Sequence, residues 1–225
     1  MTIGVLKEPA HETRVSLLSE LVPSLLKKGV TVLVESGAGE KAFCSNAAYE
    51  NAGAQIKSRS EVLAAADIVL SIFQPDSSEI DRLKSKVIIG VFQPLFNVEE
   101  MKSWAVKGLT TFSLDMLPRT TRAQAMDVLS SQANIAGYKA VLTAANLYSR
   151  YFPMFMTAAG SIKPAKVLIL GAGVAGLQAI ATAKRLGAVV EVFDTRPAVK
   201  EEVMSLGAKF VEVEGAADAS KAGGY

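Results

Sequence analysis

Residues 166–181 decide the fold of this chain, and they read Lys-Val-Leu-Ile-Leu-Gly-Ala-Gly-Val-Ala-Gly-Leu-Gln-Ala-Ile-Ala. An apolar strand over 167–170 turns sharply on three glycines into a predicted helix. Gly171 permits the tight turn, Gly173 lets backbone N–H groups approach a diphosphate, and Gly176 lets the helix pack closely on the strand. The start of a helix also attracts negative charge. This pattern predicts a dinucleotide-binding turn.

Asp194 indicates which dinucleotide is expected. It ends a second predicted strand, Val189 to Phe193, and stands 18 residues after Gly176. An acidic side chain there accepts hydrogen bonds from the ribose of NAD(H) and repels the 2′-phosphate of NADP(H). Two alternatives stay open. Arg196 offers a cation for such a phosphate, or Asp194 instead caps the helix predicted over 198–206.

The composition argues against several kinds of site. The chain has 225 residues and a formal net charge of +2, so it carries no basic field for nucleic acid. Its single cysteine, Cys44, excludes an intramolecular disulfide and a cysteine-rich metal site, and its single histidine, His11, argues against a zinc site. We expect no metal, a reducing cytoplasmic compartment and, without an apolar run of membrane-spanning length, a soluble chain with no direct membrane insertion.

Strands and helices alternate from the first residues. Such alternation predicts an α/β fold with a doubly wound parallel sheet. The predicted strands of the N-terminal half cover 3–6, 30–35, 68–73, 87–92 and 109–114. The predicted helices between them cover 16–28, 45–53, 60–66 and 98–107.

A long helical segment over 122–149 is expected to connect two α/β domains, each with a doubly wound parallel sheet. We place them at residues 1–135 and 136–225. The second is a Rossmann dinucleotide-binding domain with a helix over 177–186 and a third strand over 209–213. A complete fold of this type has two such halves, so we expect a longer chain, or a separate piece, to supply the other half.

Further stretches are more specific than the glycine turn. They read Gly4-Val-Leu-Lys-Glu-Pro, Glu12-Thr-Arg-Val, Pro118-Arg-Thr-Thr-Arg-Ala-Gln-Ala-Met-Asp-Val-Leu-Ser-Ser-Gln-Ala-Asn-Ile-Ala-Gly-Tyr and Met156-Thr-Ala-Ala-Gly. Together with the turn, they resemble the NAD(H)-binding alpha subunit of proton-translocating NAD(P) transhydrogenases, a family that shares its fold with alanine dehydrogenase. The resemblance covers essentially the whole chain.

The resemblance implies a catalytic loop over the nicotinamide, formed by Arg119, Gln124 and Asp127 with Ser130 nearby. A nicotinamide carboxamide needs a donor and an acceptor, which Gln124 and Ser130 can supply. Asp127 can pair with Arg119 and leave it as a hydrogen-bond donor near the ring. On helical spacing Asp127, Ser130 and Asn134 share one face. Without the resemblance, the same residues describe a polar helix start with solvated arginines.

The resemblance also implies contacts along the rest of the nucleotide. Gly224 and Tyr225 would belong to a mobile loop that closes over it. The remaining candidate cofactor-binding residues are Ala125, Met126, Tyr138, Val174, Asp194, Thr195 and Arg196.

By resemblance, we expect direct hydride transfer between NAD(H) on this chain and NADP(H) on a partner domain. A membrane domain would couple this exchange to proton movement, so the chain would be peripheral to the inner membrane and form a homodimer. One alternative is an enzyme similar to alanine dehydrogenase, in which Arg14 would bind the substrate carboxylate. The strand ends at Gln74 and Gln93 lack the Lys and His which that enzyme needs. The other alternative is a silent nucleotide-binding module.

Overall fold

The computed structural model describes residues 1–118 and 120–213. It divides into two compact units, Met1–Asp127 and a second that begins at Val128. The domain boundary predicted between 135 and 136 falls inside a helix of the second unit and stays a prediction.

The first unit contains a sheet of six parallel strands. The strands are β1 Thr2–Val5, β2 Thr31–Glu35, β3 Gln55–Lys57, β4 Ile68–Leu70, β5 Val87–Gly90 and β6 Thr110–Ser113. Their order across the sheet is β3-β2-β1-β4-β5-β6. The helices are α1 Val22–Leu26, α2 Asn46–Asn51, α3 Arg59–Ala65 and α4 Val98–Val106. The strand order reverses between β1 and β4, which is the topological switch point of a doubly wound sheet.

Different helices cover the two faces of this sheet. Val32 of β2 belongs to the same buried cluster as Tyr49 of α2. Its neighbour Leu33 belongs to a second cluster with Val62 of α3 and Trp104 of α4. Successive strand residues point to opposite faces, so an almost uninterrupted apolar strand supplies both clusters.

Two predicted elements of the first unit are shorter than expected. Helix α1 does not fill residues 16–28, because Pro23 is tolerated only in the first turn of a helix, and α1 begins at Val22. Strand β4 ends at Leu70 and not at 73, because the N–H groups of Ile72 and Phe73 donate to the Glu8 carboxylate. The short strand β3 was not predicted.

The second unit contains a parallel sheet of three strands. They are β9 Lys166–Leu170, β10 Val189–Phe193 and β11 Lys209–Phe210, in the order β11-β10-β9. The helices are α5 Val128–Leu147, α6 Val174–Arg185 and α7 Lys200–Ser205. The prediction of two α/β units with parallel sheets is therefore confirmed. Strand β11 ends three residues before its predicted limit.

Two further differences concern the start and the end of the linking segment. Helix α5 begins at Val128 and not at 122, because residues 121–126 form a 3-10 helix that ends at Asp127 with a non-helical ψ of 86°. An antiparallel hairpin of β7 Phe155–Thr157 and β8 Gly160–Ile162 was not predicted. Within the described residues, no helix combines the length and the apolar character needed to cross a bilayer.

Candidate functional site

The turn after β9 is the centre of the candidate site. Gly171 adopts a φ of +95°, a left-handed conformation that favours glycine. Its N–H donates to the carbonyl of Phe193 at 2.8 Å, which fixes the turn against the end of β10. Gly173 is the N-cap of α6 and supplies no side-chain acceptor to the first turn of that helix. A helix start of this kind presents backbone N–H groups to an anion.

The second and third glycines are required for different reasons. A Cβ on Gly176 would lie 1.9 Å from the carbonyl oxygen of Gly171, so only glycine lets the helix approach the turn this closely. A Cβ on Gly173 would meet no atom of the described residues within 4 Å beyond its chain neighbours. The space beside Gly173 therefore suits a diphosphate that approaches the backbone, as the sequence predicts.

Asp194 lies directly beside this turn. Its Oδ2 accepts the N–H of Ala172 at 2.6 Å, and its Oδ1 accepts the N–H of Arg196 at 2.8 Å. The Arg196 guanidinium donates to both carboxylate oxygens, each at 3.0 Å. This pair, first, and then the backbone donors lower the pKa of the Asp194 carboxyl to about 2, although burial opposes the shift. Asp194 is thus a charged acceptor that braces the turn.

The alternative role of Asp194 as a helix cap is not what the structure shows. Helix α7 has Val199 as its N-cap, and neither this helix nor the 3-10 turn Pro197–Val199 receives a side-chain cap from its N-cap residue. Val174 and Thr195, two further predicted contact residues, are exposed near the start of α6 and after β10.

Helix α5 packs directly on α6 within the second unit. A Cβ on Gly137 would lie 2.0 Å from the carbonyl oxygen of Ala175, so the two backbones are in contact. Three residues earlier, Asn134 Nδ2 donates to Gln178 Oε1 at 3.2 Å. Because the contacts follow opposite orders along the chain, the two helices run antiparallel here. The first turn of α6, beside the glycine turn, is therefore supported by α5.

The predicted nicotinamide loop spans the boundary between the units. Gln124, Ala125 and Met126 are exposed in the 3-10 helix, and the half-buried Asp127 ends the first unit. Ser130, half-buried, and Tyr138, 45% exposed, belong to α5 and thus to the second unit. Their roles at the nicotinamide stay predictions. Three predicted residues lie outside the described residues of the chain: Arg119, Gly224 and Tyr225.

The first unit places a carboxylate at its own switch point. Glu8 follows β1, is 8% exposed, and accepts the N–H of Ile72 at 2.6 Å and of Phe73 at 3.1 Å. Burial raises the pKa of the Glu8 carboxyl above its usual value, and the two backbone donors only partly oppose this. Sequence reasoning missed this role. The available signal was an acidic residue just after a buried strand.

Beside Glu8 lies a cleft of about 300 Å³, where the amino-acid dehydrogenase alternative would place its substrate. Arg14, the candidate carboxylate ligand, donates to both oxygens of Glu12 at 2.9 and 2.6 Å. This pair lowers the pKa of the Glu12 carboxyl to about 2. Arg14 therefore already binds a carboxylate of its own chain. The remaining charged lining residues are Lys7, Glu8, Glu40 and Lys41.

The neighbouring strand ends carry amides where that alternative needs ionisable groups. Gln74 Nε2 donates to the Phe92 carbonyl at 3.0 Å, which brings the segments after β4 and β5 together. Gln93 follows with a φ of +48°. His11 packs edge-on against Phe73 with ring centroids 5.1 Å apart.

Models of two protein domains match the chain. The N-terminal domain of alanine dehydrogenase/PNT matches residues 4–136, and the C-terminal domain matches residues 140–222.

Individual relatives are similar over nearly the whole chain. An NAD(P) transhydrogenase alpha subunit of Rickettsia prowazekii is 46% identical over 100% of this chain and 61% of its own length. The crystal structure of a transhydrogenase from Sinorhizobium meliloti is 48% identical with a TM-score of 0.91, over 96% of this chain and 62% of its own. An L-alanine dehydrogenase structure is more distant, at 27% identity and a TM-score of 0.79, over 93% and 60% of the two chains.

This chain thus spans about three fifths of the length of these relatives. The matched models together with the identity to transhydrogenase alpha subunits establish that the chain belongs to the alanine dehydrogenase/PNT family.

Proposed function

We propose that this chain is the NAD(H)-binding component of a proton-translocating NAD(P) transhydrogenase. The observation that carries the proposal is the turn from β9 into α6, where Gly173 leaves room beside the backbone and Asp194 stands at the end of β10. A diphosphate fits the helix start, and the Asp194 carboxylate accepts hydrogen bonds from ribose hydroxyls. The transhydrogenase relatives favour this function over that of the more distant alanine dehydrogenase.

The proposed reaction moves a hydride from C4 of one dihydronicotinamide to C4 of an oxidised nicotinamide, so that the first is oxidised and the second reduced. NADP(H) lies on a partner domain, and a membrane domain couples the exchange to proton movement, which places this chain at the membrane surface through its partners. The chain itself acts as a homodimer. This chemistry asks the protein to orient two rings and exclude water.

In this proposal, Arg119, Gln124, Asp127 and Ser130 orient the nicotinamide. Gln124 is exposed and has both a donor and an acceptor for the carboxamide. Ser130 follows the end of the 3-10 helix by four residues, in the first turns of α5. No acid or base has to titrate, which agrees with the use of amide and hydroxyl groups at these positions.

The experiment compares two neighbouring serines in the intact protein. Ser130→Ala removes a proposed ring contact, whereas Ser131→Ala removes a hydroxyl that donates to the Val128 carbonyl at 3.0 Å on the exposed side of α5. With an NADP(H)-binding partner domain present, we expect Ser130→Ala to slow hydride exchange about tenfold, the value of one hydrogen bond. Ser131→Ala should have little effect.

NADH binding is measured in parallel by the fluorescence of the dihydronicotinamide. Wild-type protein that binds no NADH contradicts the proposal, as does equal loss in both serine variants. Alanine-dependent reduction of NAD+ without exchange would instead identify an amino-acid dehydrogenase.

A further inference from the structure

The Asp194–Arg196 pair places two opposite determinants of nucleotide choice in direct contact. An acidic residue after the second strand selects the free 2′-hydroxyl of NAD(H), while an arginine nearby accommodates the 2′-phosphate of NADP(H). Here the arginine donates through Nε and Nη2 to both oxygens of the acid. The cation of the second type of site is thus bound by the anion of the first.

The geometry favours a lasting pair. The Asp194 side chain is 6% exposed and the Arg196 side chain 29% exposed, so water screens their attraction only partly. Arg196 also donates its backbone N–H to the same carboxylate, which holds the two residues in one tight turn. An arginine fork matches a phosphate as well as it matches a carboxylate.

We propose that Arg196 is a latent binding group for the 2′-phosphate of an adenine dinucleotide, and that Asp194 keeps it out of use. This inference rests on the proposed function, because it assumes that a dinucleotide binds at the glycine turn. Asp194 then excludes NADP(H) in two ways. Its charge repels the phosphate, and it occupies the guanidinium that would otherwise bind that phosphate.

Asp194→Asn separates these effects from the support of the turn. The asparagine oxygen still accepts the N–H of Ala172, now 2.6 Å from Oδ2, whereas the negative charge is gone. The matched control is Asp194→Asn combined with Arg196→Gln, which keeps the altered acid position and removes the cation. Arg196→Gln alone leaves the acidic charge without its guanidinium partner.

The experiment titrates the intact protein with NADH and with NADPH and measures both Kd values by nucleotide fluorescence. We expect Asp194→Asn to lower the Kd for NADPH at least about tenfold, a gain typical of one charge-assisted contact. The double variant should lose this gain. Arg196→Gln alone should raise the ratio of the NADPH Kd to the NADH Kd, because the unshielded Asp194 repels the phosphate more strongly.

Three results would overturn the inference. The first is wild-type protein that binds NADH together with an Asp194→Asn variant that gains no NADPH affinity, which leaves the proposed function intact. The second is a gain that persists in the double variant, since Arg196 would then not be its source. The third is wild-type protein that binds neither nucleotide, which refutes the proposed function as well. A thermal melt of each variant verifies folding, and Arg196→Gln provides the test if Asp194→Asn does not fold.

Discussion

The two units each place a carboxylate at the carboxyl ends of their parallel strands, but the two groups are used differently. Glu8 in the first unit accepts two backbone N–H groups from the segment after β4, and burial raises its pKa. Asp194 in the second unit accepts one backbone N–H from the glycine turn, and Arg196 lowers its pKa to about 2.

This difference separates a closed crevice from an open one. In the first unit, the N–H groups that could bind a ligand at the switch point already bind Glu8. In the second unit, Asp194 supports the turn from the side and the space beside Gly173 stays open in the described residues. The same fold thus makes a structural contact in one unit and a candidate nucleotide site in the other.

The largest expected effect is on the stability of the second unit. Gly176→Ala would place a Cβ 1.9 Å from the carbonyl oxygen of Gly171, and backbone atoms cannot move aside as a side chain does. We expect the free energy of unfolding to fall by about 3 kcal/mol or more, as in other overpacked sites. Urea unfolding followed by circular dichroism measures it. Unchanged stability would mean that α6 does not approach the turn this closely.

The next effect concerns the closed crevice of the first unit. Glu8→Ala leaves the N–H groups of Ile72 and Phe73 without their carboxylate acceptor, at a cost of about 2 kcal/mol in unfolding free energy. Glu8→Gln retains one acceptor oxygen and should lose less. If both variants bind NADH more weakly while stability is unchanged, the first crevice is a ligand site and the comparison fails.

Gly173→Ala tests the open site without a packing cost. The backbone at Gly173 has φ −80° and ψ −169°, which alanine adopts readily, and its Cβ would meet no described atom beyond its neighbours. We expect unfolding free energy to stay constant or rise slightly. The NADH Kd should rise about tenfold, because the methyl group occupies the space proposed for the diphosphate. Unchanged NADH affinity would place the nucleotide elsewhere.

The smallest expected effect is in the pH dependence of stability. The folded pKa of Asp194 lies below its unfolded value of 3.8, so its contribution is fully present above that pH and is lost as pH falls toward about 2. The loss amounts to about 1 kcal/mol between pH 6 and pH 3. Asp194→Asn should flatten this acid limb in urea titrations. A variant with the wild-type pH profile would show that Asp194 has no folded-state partner.

Glu8 should act in the opposite direction, because its folded pKa is raised. Its contribution to stability is fully present below the unfolded pKa of 4.5 and is lost as pH rises through the folded value. Subtracting the Glu8→Gln profile from that of the wild type isolates this term. A difference of the same sign as that of Asp194 would remove the electrostatic contrast between the units.

The sequence predicts the glycine turn well because its determinants are local. Gly171 needs a positive φ and Gly176 needs a missing side chain, and both requirements are visible in the order of residues. The alternation of apolar strands and helices likewise predicts most elements of both sheets. The start of α1 was also available from the sequence, because Pro23 restricts it to a first turn.

Other features depend on contacts between distant residues and could not be predicted in this way. Strand β4 ends early because Glu8, more than sixty residues away, takes its next two N–H groups. The hairpin of β7 and β8 turns on Ala158 and Ala159, which are not hairpin-turn residues, before Gly160 with a φ of +133°. The ion pair of Asp194 with Arg196 was open in the sequence, since each side chain alone suggested a different nucleotide.

The contact of Gly137 with Ala175 gives helix α5 a fixed phase. Counted from that contact, Asn134 lies about 4.5 Å and Ser130 about 10.5 Å along the helix axis, on the same side as Gly137. Deleting or inserting one residue between Ser130 and Gly137 would rotate Ser130 by about 100° while the composition stayed almost constant. The length of this short segment is therefore under tighter constraint than the identity of its exposed side chains.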